Sequence, residues 1–124
     1  MRRDKLDRTQ SPAREDGIRT VTSSSFRPLV LEATGPVVVE FMSYGCAHCR
    51  VIEPVLQQVA KMVESREKIF RVNTALEKEL ADAYGVGATP TLIMFLDGRE
   101  VGRVEGPSPT ISSVLSAVTE AFET

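Results

Sequence analysis

The chain contains two cysteines, Cys46 and Cys49, with its single histidine, His48, between them. Thiols at this spacing suit dithiol–disulfide exchange or half of a metal site. If a helix begins here, Cys46 lies at its start, near unpaired backbone N–H groups and the positive end of the dipole. That environment favours the thiolate, which is the nucleophile. The i, i+3 spacing puts Cys49 one turn deeper on the same face, so the two sulfurs can bond without backbone rearrangement. Cys46 is then the expected attacking thiol, and Cys49 the thiol that resolves a mixed disulfide. His48, as a cation or hydrogen-bond donor, would stabilise the Cys46 thiolate and make the couple more oxidising. Its blander alternative is a solvent-facing side chain. A zinc site is the rival chemistry, with His48 as a third ligand. The sequence holds no second Cys or His cluster to close it, so no metal and no cofactor beyond a Cys46–Cys49 disulfide is expected.

Glu40 is the other chemically informative residue. It interrupts the apolar run Val37-Val38-Val39-Glu40-Phe41-Met42. A charge in a covered strand costs several kcal/mol unless it is paired or protonated. Alternation places Val38, Glu40 and Met42 on one face of that strand. Glu40 is therefore a candidate buried proton acceptor serving Cys49. The alternative is a strand-end carboxylate that reaches solvent or an arginine.

These residues need elements to position them. The run from Val37 to Met42 is short and β-branched, which suits a strand covered on both faces of a parallel sheet. Ser43-Tyr44-Gly45 then connects to a long helical pattern from about Cys46 to Ser65, with Val51, Ile52, Val55, Leu56 and Val59 at helical spacing. Pro54 falls inside that pattern and predicts a kink. Upstream, Ile18 to Val21 predicts a short strand. Phe26, Leu29, Val30 and Ala33 predict a helix capped near Thr22, with Pro28 in its first turn and Gly35-Pro36 ending it. Downstream, Ile69 to Val72 predicts a strand and Leu76 to Tyr84 a short helix. Thr91 to Leu96 and Glu100 to Val104 predict a hairpin around Asp97-Gly98. A last amphipathic helix carries Ile111, Val114, Leu115, Val118 and Phe122, with Ser108 as cap and Pro109 at its first position. The second strand, its helix and the third strand make a right-handed parallel crossover. The hairpin adds antiparallel strands. The expectation is an α/β domain with a mixed sheet and helices on both faces.

Composition bounds the rest. The 124 residues suit one domain. Residues 1–17 mix charges with little apolar content and predict a flexible tail, leaving 18–124 as the domain. Net charge is -2, which argues against a general nucleic-acid binder. Lys61, Arg66 and Lys68 alternate with Glu64 and Glu67, as on a solvated helix end. No apolar run is long enough to span a membrane, and residues 1–17 lack the apolar region of a secretory signal. The expected location is cytoplasmic, where a purely structural disulfide is improbable.

From about Ile18 to Thr124 this pattern resembles the thioredoxin family. The family's buried acid, six residues before the first cysteine, is matched by Glu40, and its helix-kinking proline by Pro54. Its cis-proline opposite the active site is matched by Thr89-Pro90-Thr91, and its glycine after the last strand by Gly106. Its lysine near the buried acid is matched by Arg71, which stays charged and is expected to pair with Glu40. The resemblance implies the thioredoxin fold: a five-stranded mixed sheet, order 1-3-2-4-5, flanked by four helices. It implies a monomeric protein-disulfide oxidoreductase, with protein disulfides as substrates and thioredoxin reductase or another dithiol donor as electron source. It also implies that Thr89, before the proline, pairs its backbone with a bound substrate strand.

The active-site segment departs from the family. Tryptophan usually precedes the first cysteine and Gly-Pro separates the pair; here these are Gly45 and Ala47-His48. Gly45 removes a flat apolar docking surface, for which Tyr44 is the nearest substitute. The histidine resembles protein disulfide isomerase and the periplasmic oxidant class, which leaves the direction of electron flow open. The expected substrate-binding residues are Tyr44, Gly45, Ala47, Thr89, Pro90 and Gly106, with Pro54 and Arg71 in support. A competing expectation is a redox-regulated or redox-inactive interaction module on the same scaffold.

Overall fold

The computed structural model describes residues 18–63, 68–105 and 110–122. The tail of residues 1–17, Gly106 and the Ser108-Pro109 start lie outside them. Five strands form one sheet: β1 (Arg19–Thr20), β2 (Pro36–Met42), β3 (Lys68–Asn73), β4 (Thr91–Leu96) and β5 (Arg99–Glu105). Their order is β1-β3-β2-β4-β5. β1 and β2 run parallel to β3, whereas β4 is antiparallel to β2 and to β5. This is the mixed sheet expected from the sequence, in the strand order that the family resemblance implies.

Helix α1 begins at Ser23–Phe26 and continues as a wider π-helical turn over Arg27–Leu31. α2 spans Ala47–Val63, α3 Lys78–Ala83 and α4 Ile111–Phe122. The strand β2 separates two apolar layers. On one face Val38, Leu92, Met94 and Ile69 pack against Ile52, Leu56 and Val59 of α2 and Val114 and Val118 of α4. On the other, Val37, Val39, Phe41, Phe70, Ile93 and Phe95 pack against Phe26 and Val30 of α1 and Ala81 of α3. Burying one such side chain stabilises by roughly 1.5–3 kcal/mol. The two layers together hold β2, and with it the entry to α2, rigid.

The structure departs from the sequence expectation inside α1 and at the start of α3. Pro28 lies in the middle of α1, not in its first turn. Proline offers no N–H, and the helix widens around it: the Glu32 N–H donates to the Arg27 carbonyl at 2.9 Å, an i→i+5 bond. α3 starts at Lys78 because Asn73 holds the preceding turn. Its side-chain oxygen accepts from the Ala75 N–H at 3.0 Å, and its carbonyl accepts from the N–H groups of Leu76 and Glu77. The described part of α4 starts at Ile111, where Thr110 forms a reciprocal cap with Ser113: the Ser113 N–H donates to Thr110 Oγ1 at 3.0 Å and the Thr110 N–H to Ser113 Oγ at 2.8 Å.

The hairpin turn needs its sequence. Asp97 (φ 53°) and Gly98 (φ 84°) are both left-handed, as a two-residue turn requires. A side chain at Gly98 would strike the Leu31 carbonyl.

Candidate active site

The site forms where β2 ends and α2 begins. The Cys46 N–H donates to the Ser43 carbonyl at 3.1 Å, and the Gly45 N–H donates to Ser43 Oγ at 3.2 Å. This turn aims Cys46 at the N-terminus of α2. Cys46 and Cys49 are paired as a disulfide, with Cα atoms 5.2 Å apart. Cys46 is partly exposed, while Cys49 is only 3 % exposed. The Cys49 N–H donates to Cys46 Sγ at 3.1 Å. A sulfur that accepts a backbone N–H at a helix start is favoured as thiolate.

A second segment closes on the pair. The Thr89–Pro90 peptide bond is cis, and the Thr89 carbonyl oxygen lies 3.5 Å from Cys46 Sγ. Thr91 ties that loop down: its hydroxyl donates to the Ala88 carbonyl at 2.7 Å. Pro90 is buried and Thr89 is partly exposed beside it.

Glu40 is 0 % exposed. It sits on the α2 side of the sheet, level with Arg71 on β3 and Leu92 on β4. Arg71 Nε donates to Glu40 Oε1 at 3.4 Å, and Arg71 Nη2 donates to Glu53 Oε2 at 2.7 Å. Gln57 Nε2 holds the same Glu53 oxygen at 2.6 Å. Burial disfavours a charged carboxylate at Glu40, and the adjacent guanidinium favours one. A pocket of about 180 Å³ beside Cys49 is lined in part by Tyr44, Glu53 and Arg71. It brings the cysteine pair and the charged network to one opening.

The remaining expected residues are distributed around this centre. Tyr44 is exposed at 64 %, and its carbonyl accepts from Arg50 Nη1 at 3.1 Å. Gly45, Ala47 and His48 are exposed on the turn and first helical residues. Pro54 lies on the exposed side of α2. Glu53 was not among the residues expected from sequence. Its signal was present as a carboxylate one helical turn after Cys49, but nothing in the sequence joins it to Arg71. Among the described residues, no group of three or more His, Cys, Asp or Glu side chains is placed to hold a metal ion.

A partly exposed thiol paired with a buried one, at a helix N-terminus and faced by a proline loop, is a dithiol–disulfide exchange centre. The comparisons with known proteins agree. The family model described as Thioredoxin matches residues 17–118. Thioredoxin 1 of Nostoc sp. is 37% identical over 97 residues, covering 77% of this chain and 91% of the relative. The thioredoxin of Pyropia yezoensis is 35% identical over 101 residues, covering 80% and 94%. Among solved structures, a mutant thioredoxin from Halobacterium salinarum superposes with a TM-score of 0.76 at 25% identity, covering 92% of this chain and 96% of that one. The chain belongs to the thioredoxin family. It is a thiol–disulfide oxidoreductase whose redox pair is Cys46 and Cys49.

Proposed function

We propose that the protein reduces disulfides of protein substrates, with Cys46 as nucleophile and Cys49 as resolving thiol. One observation carries this assignment: Cys46 is the accessible sulfur and accepts the Cys49 N–H at 3.1 Å, whereas Cys49 is buried. The Cys46 thiolate attacks one sulfur of the substrate disulfide, and the other substrate sulfur leaves as a thiolate. Cys49, losing its proton toward Glu40, then attacks the Cys46 sulfur. The second substrate thiol departs and the Cys46–Cys49 disulfide remains, so two electrons have passed to the substrate. An external dithiol donor, such as a thioredoxin reductase, returns the pair to the dithiol.

The substrate lies as an extended segment against the Thr89 backbone and Pro90, across Tyr44, Gly45 and Ala47. Tyr44 offers the exposed ring that suits such contact. Gly106, assigned to the same surface, lies outside the described residues. His48 raises the potential from the first turn of the helix, Arg71 supports Glu40, and Pro54 shapes α2. The acting unit is a monomeric domain over residues 18–124, preceded by a tail, working in a reducing compartment such as the cytoplasm. No described helix is long and apolar enough to cross a membrane.

The test is trapping. With a protein disulfide as substrate, Cys49→Ser should accumulate a mixed disulfide that reductant releases, while Cys46→Ser should show no adduct and no turnover. Full dithiol activity in Cys49→Ser, or an adduct in Cys46→Ser, overturns the assignment.

A further inference from the structure

We propose that Glu53 is a positioning residue that sets, through Arg71, how readily Glu40 takes the proton of Cys49. The inference rests on the reading of Glu40 as that acceptor. Arg71 stands between two carboxylates. Its Nη2 donates to half-exposed Glu53 at 2.7 Å, and its Nε donates to fully buried Glu40 at 3.4 Å. The shorter, charge-assisted bond is the stronger one. Gln57 holds the same Glu53 oxygen at 2.6 Å from one turn further along α2, so Glu53 is fixed where it meets the guanidinium.

The consequence is electrostatic. A guanidinium committed wholly to Glu40 would hold that carboxylate ionised down to low pH. Here its charge is shared, and Glu53 adds negative charge of its own. Both effects make Glu40 easier to protonate. A proton acceptor works best when its pKa lies near the operating pH, and sharing Arg71 moves Glu40 in that direction. Among the described residues, the titratable groups placed beside Glu40 include Cys49 and Glu53 of α2 and Arg71 of β3; β4 contributes the apolar Leu92 opposite Glu40. Cys49, Glu53 and Arg71 also line one pocket, so the group that tunes Glu40 stands beside the thiol that Glu40 serves.

The experiment is the pH profile of thiol–disulfide exchange, measured on the full chain with a protein disulfide as substrate. The relevant limb belongs to the Glu40–Cys49 pair as a unit. Glu53→Gln, at a half-exposed position and nearly isosteric, should move that limb down by about one pH unit. Glu40→Gln should remove the limb. In an Arg71→Met background, Glu53→Gln should move it clearly less, because only the direct charge of Glu53 is then lost. If Glu40→Gln leaves the limb in place, the reading of Glu40 falls and this proposal with it. If Glu40→Gln removes the limb but Glu53→Gln leaves it unmoved, only the role of Glu53 is overturned. A Glu53→Gln shift of undiminished size in Arg71→Met shows Glu53 acting by its own field alone and overturns the route through Arg71. Should Arg71→Met not fold, Arg71→Lys replaces it: the compact ammonium lacks the guanidinium fork, so the Glu53→Gln shift must change in size, and an identical shift overturns the proposal.

Discussion

The two faces of the sheet are built from the same strands and do different work. On the α1–α3 face, Phe26, Phe41, Phe95 and Tyr84 form an aromatic cluster, with ring centroids 5.5–6.3 Å apart. No charged side chain is buried within that layer among the described residues. On the α2–α4 face the buried hydrophobic side chains are aliphatic or sulfur-containing, and Glu40 and Arg71 are buried beside them. Adjacent residues of one strand carry the contrast: Phe41 points into the aromatic layer and Glu40 toward the helix that bears the cysteines. The aromatic layer serves packing alone. The face that handles protons keeps ionisable groups in a low-dielectric setting, where small changes in charge have large effects on pKa.

The largest effect should come from Phe41→Ala, which opens a cavity in the aromatic layer. It should lower stability by about 3–5 kcal/mol, as read by denaturant unfolding, and leave the potential of the Cys46/Cys49 couple unchanged. A displaced potential would mean that the faces are not separable. Glu40→Leu should do the reverse. Arg71 keeps its 2.7 Å bond to Glu53, so no charge is left without a partner. Stability should hold or rise by up to about 2 kcal/mol, while exchange slows. A loss of 3 kcal/mol or more would show that Glu40 holds the fold and not only the chemistry (a buried pair broken on one side costs about that much).

Gly98→Ala probes the junction of hairpin and α1. It combines a left-handed backbone at φ 84° with a clash on the Leu31 carbonyl, and should cost on the order of 1–3 kcal/mol by thermal unfolding without altering exchange. The smallest effect belongs to Tyr84. Burial, and then the charge of Glu100, raise its phenol above the ordinary 10.0. The folded state therefore favours the neutral phenol. That contribution is complete below the unfolded value and is lost as pH rises through the folded one. Tyr84→Phe should flatten the loss of stability on the alkaline side of pH 10 and remove the late component of a phenolate absorbance titration. An unchanged titration would contradict the assignment.

Sequence reading located the parts of this design that depend on local pattern. The apolar run around Glu40, the Asp97-Gly98 turn and the i, i+3 cysteines each carry a physical signature within a few residues. Resemblance to a family supplied what periodicity could not: the strand order and the place of Pro90 against the pair. The Pro28 turn escaped because a π-helical widening leaves no mark in hydrophobic spacing. The start of α3 escaped because Asn73 acts from outside the apolar pattern. Glu53 escaped for a third reason. Its partner lies 18 residues away on another element, and only packing of α2 on the sheet brings the two together.

The expected behaviour is a working Cys46–Cys49 redox couple whose potential the intervening residues set. Its most direct test is the reduction potential, measured by equilibrating the full chain in glutathione buffers. One reversible two-electron couple is expected at a value less negative than roughly -270 mV, because His48 stands where the family carries proline, with a more negative value in His48→Pro. A chain that forms no reversible Cys46–Cys49 disulfide would be an interaction module on a thioredoxin scaffold, and not a working oxidoreductase.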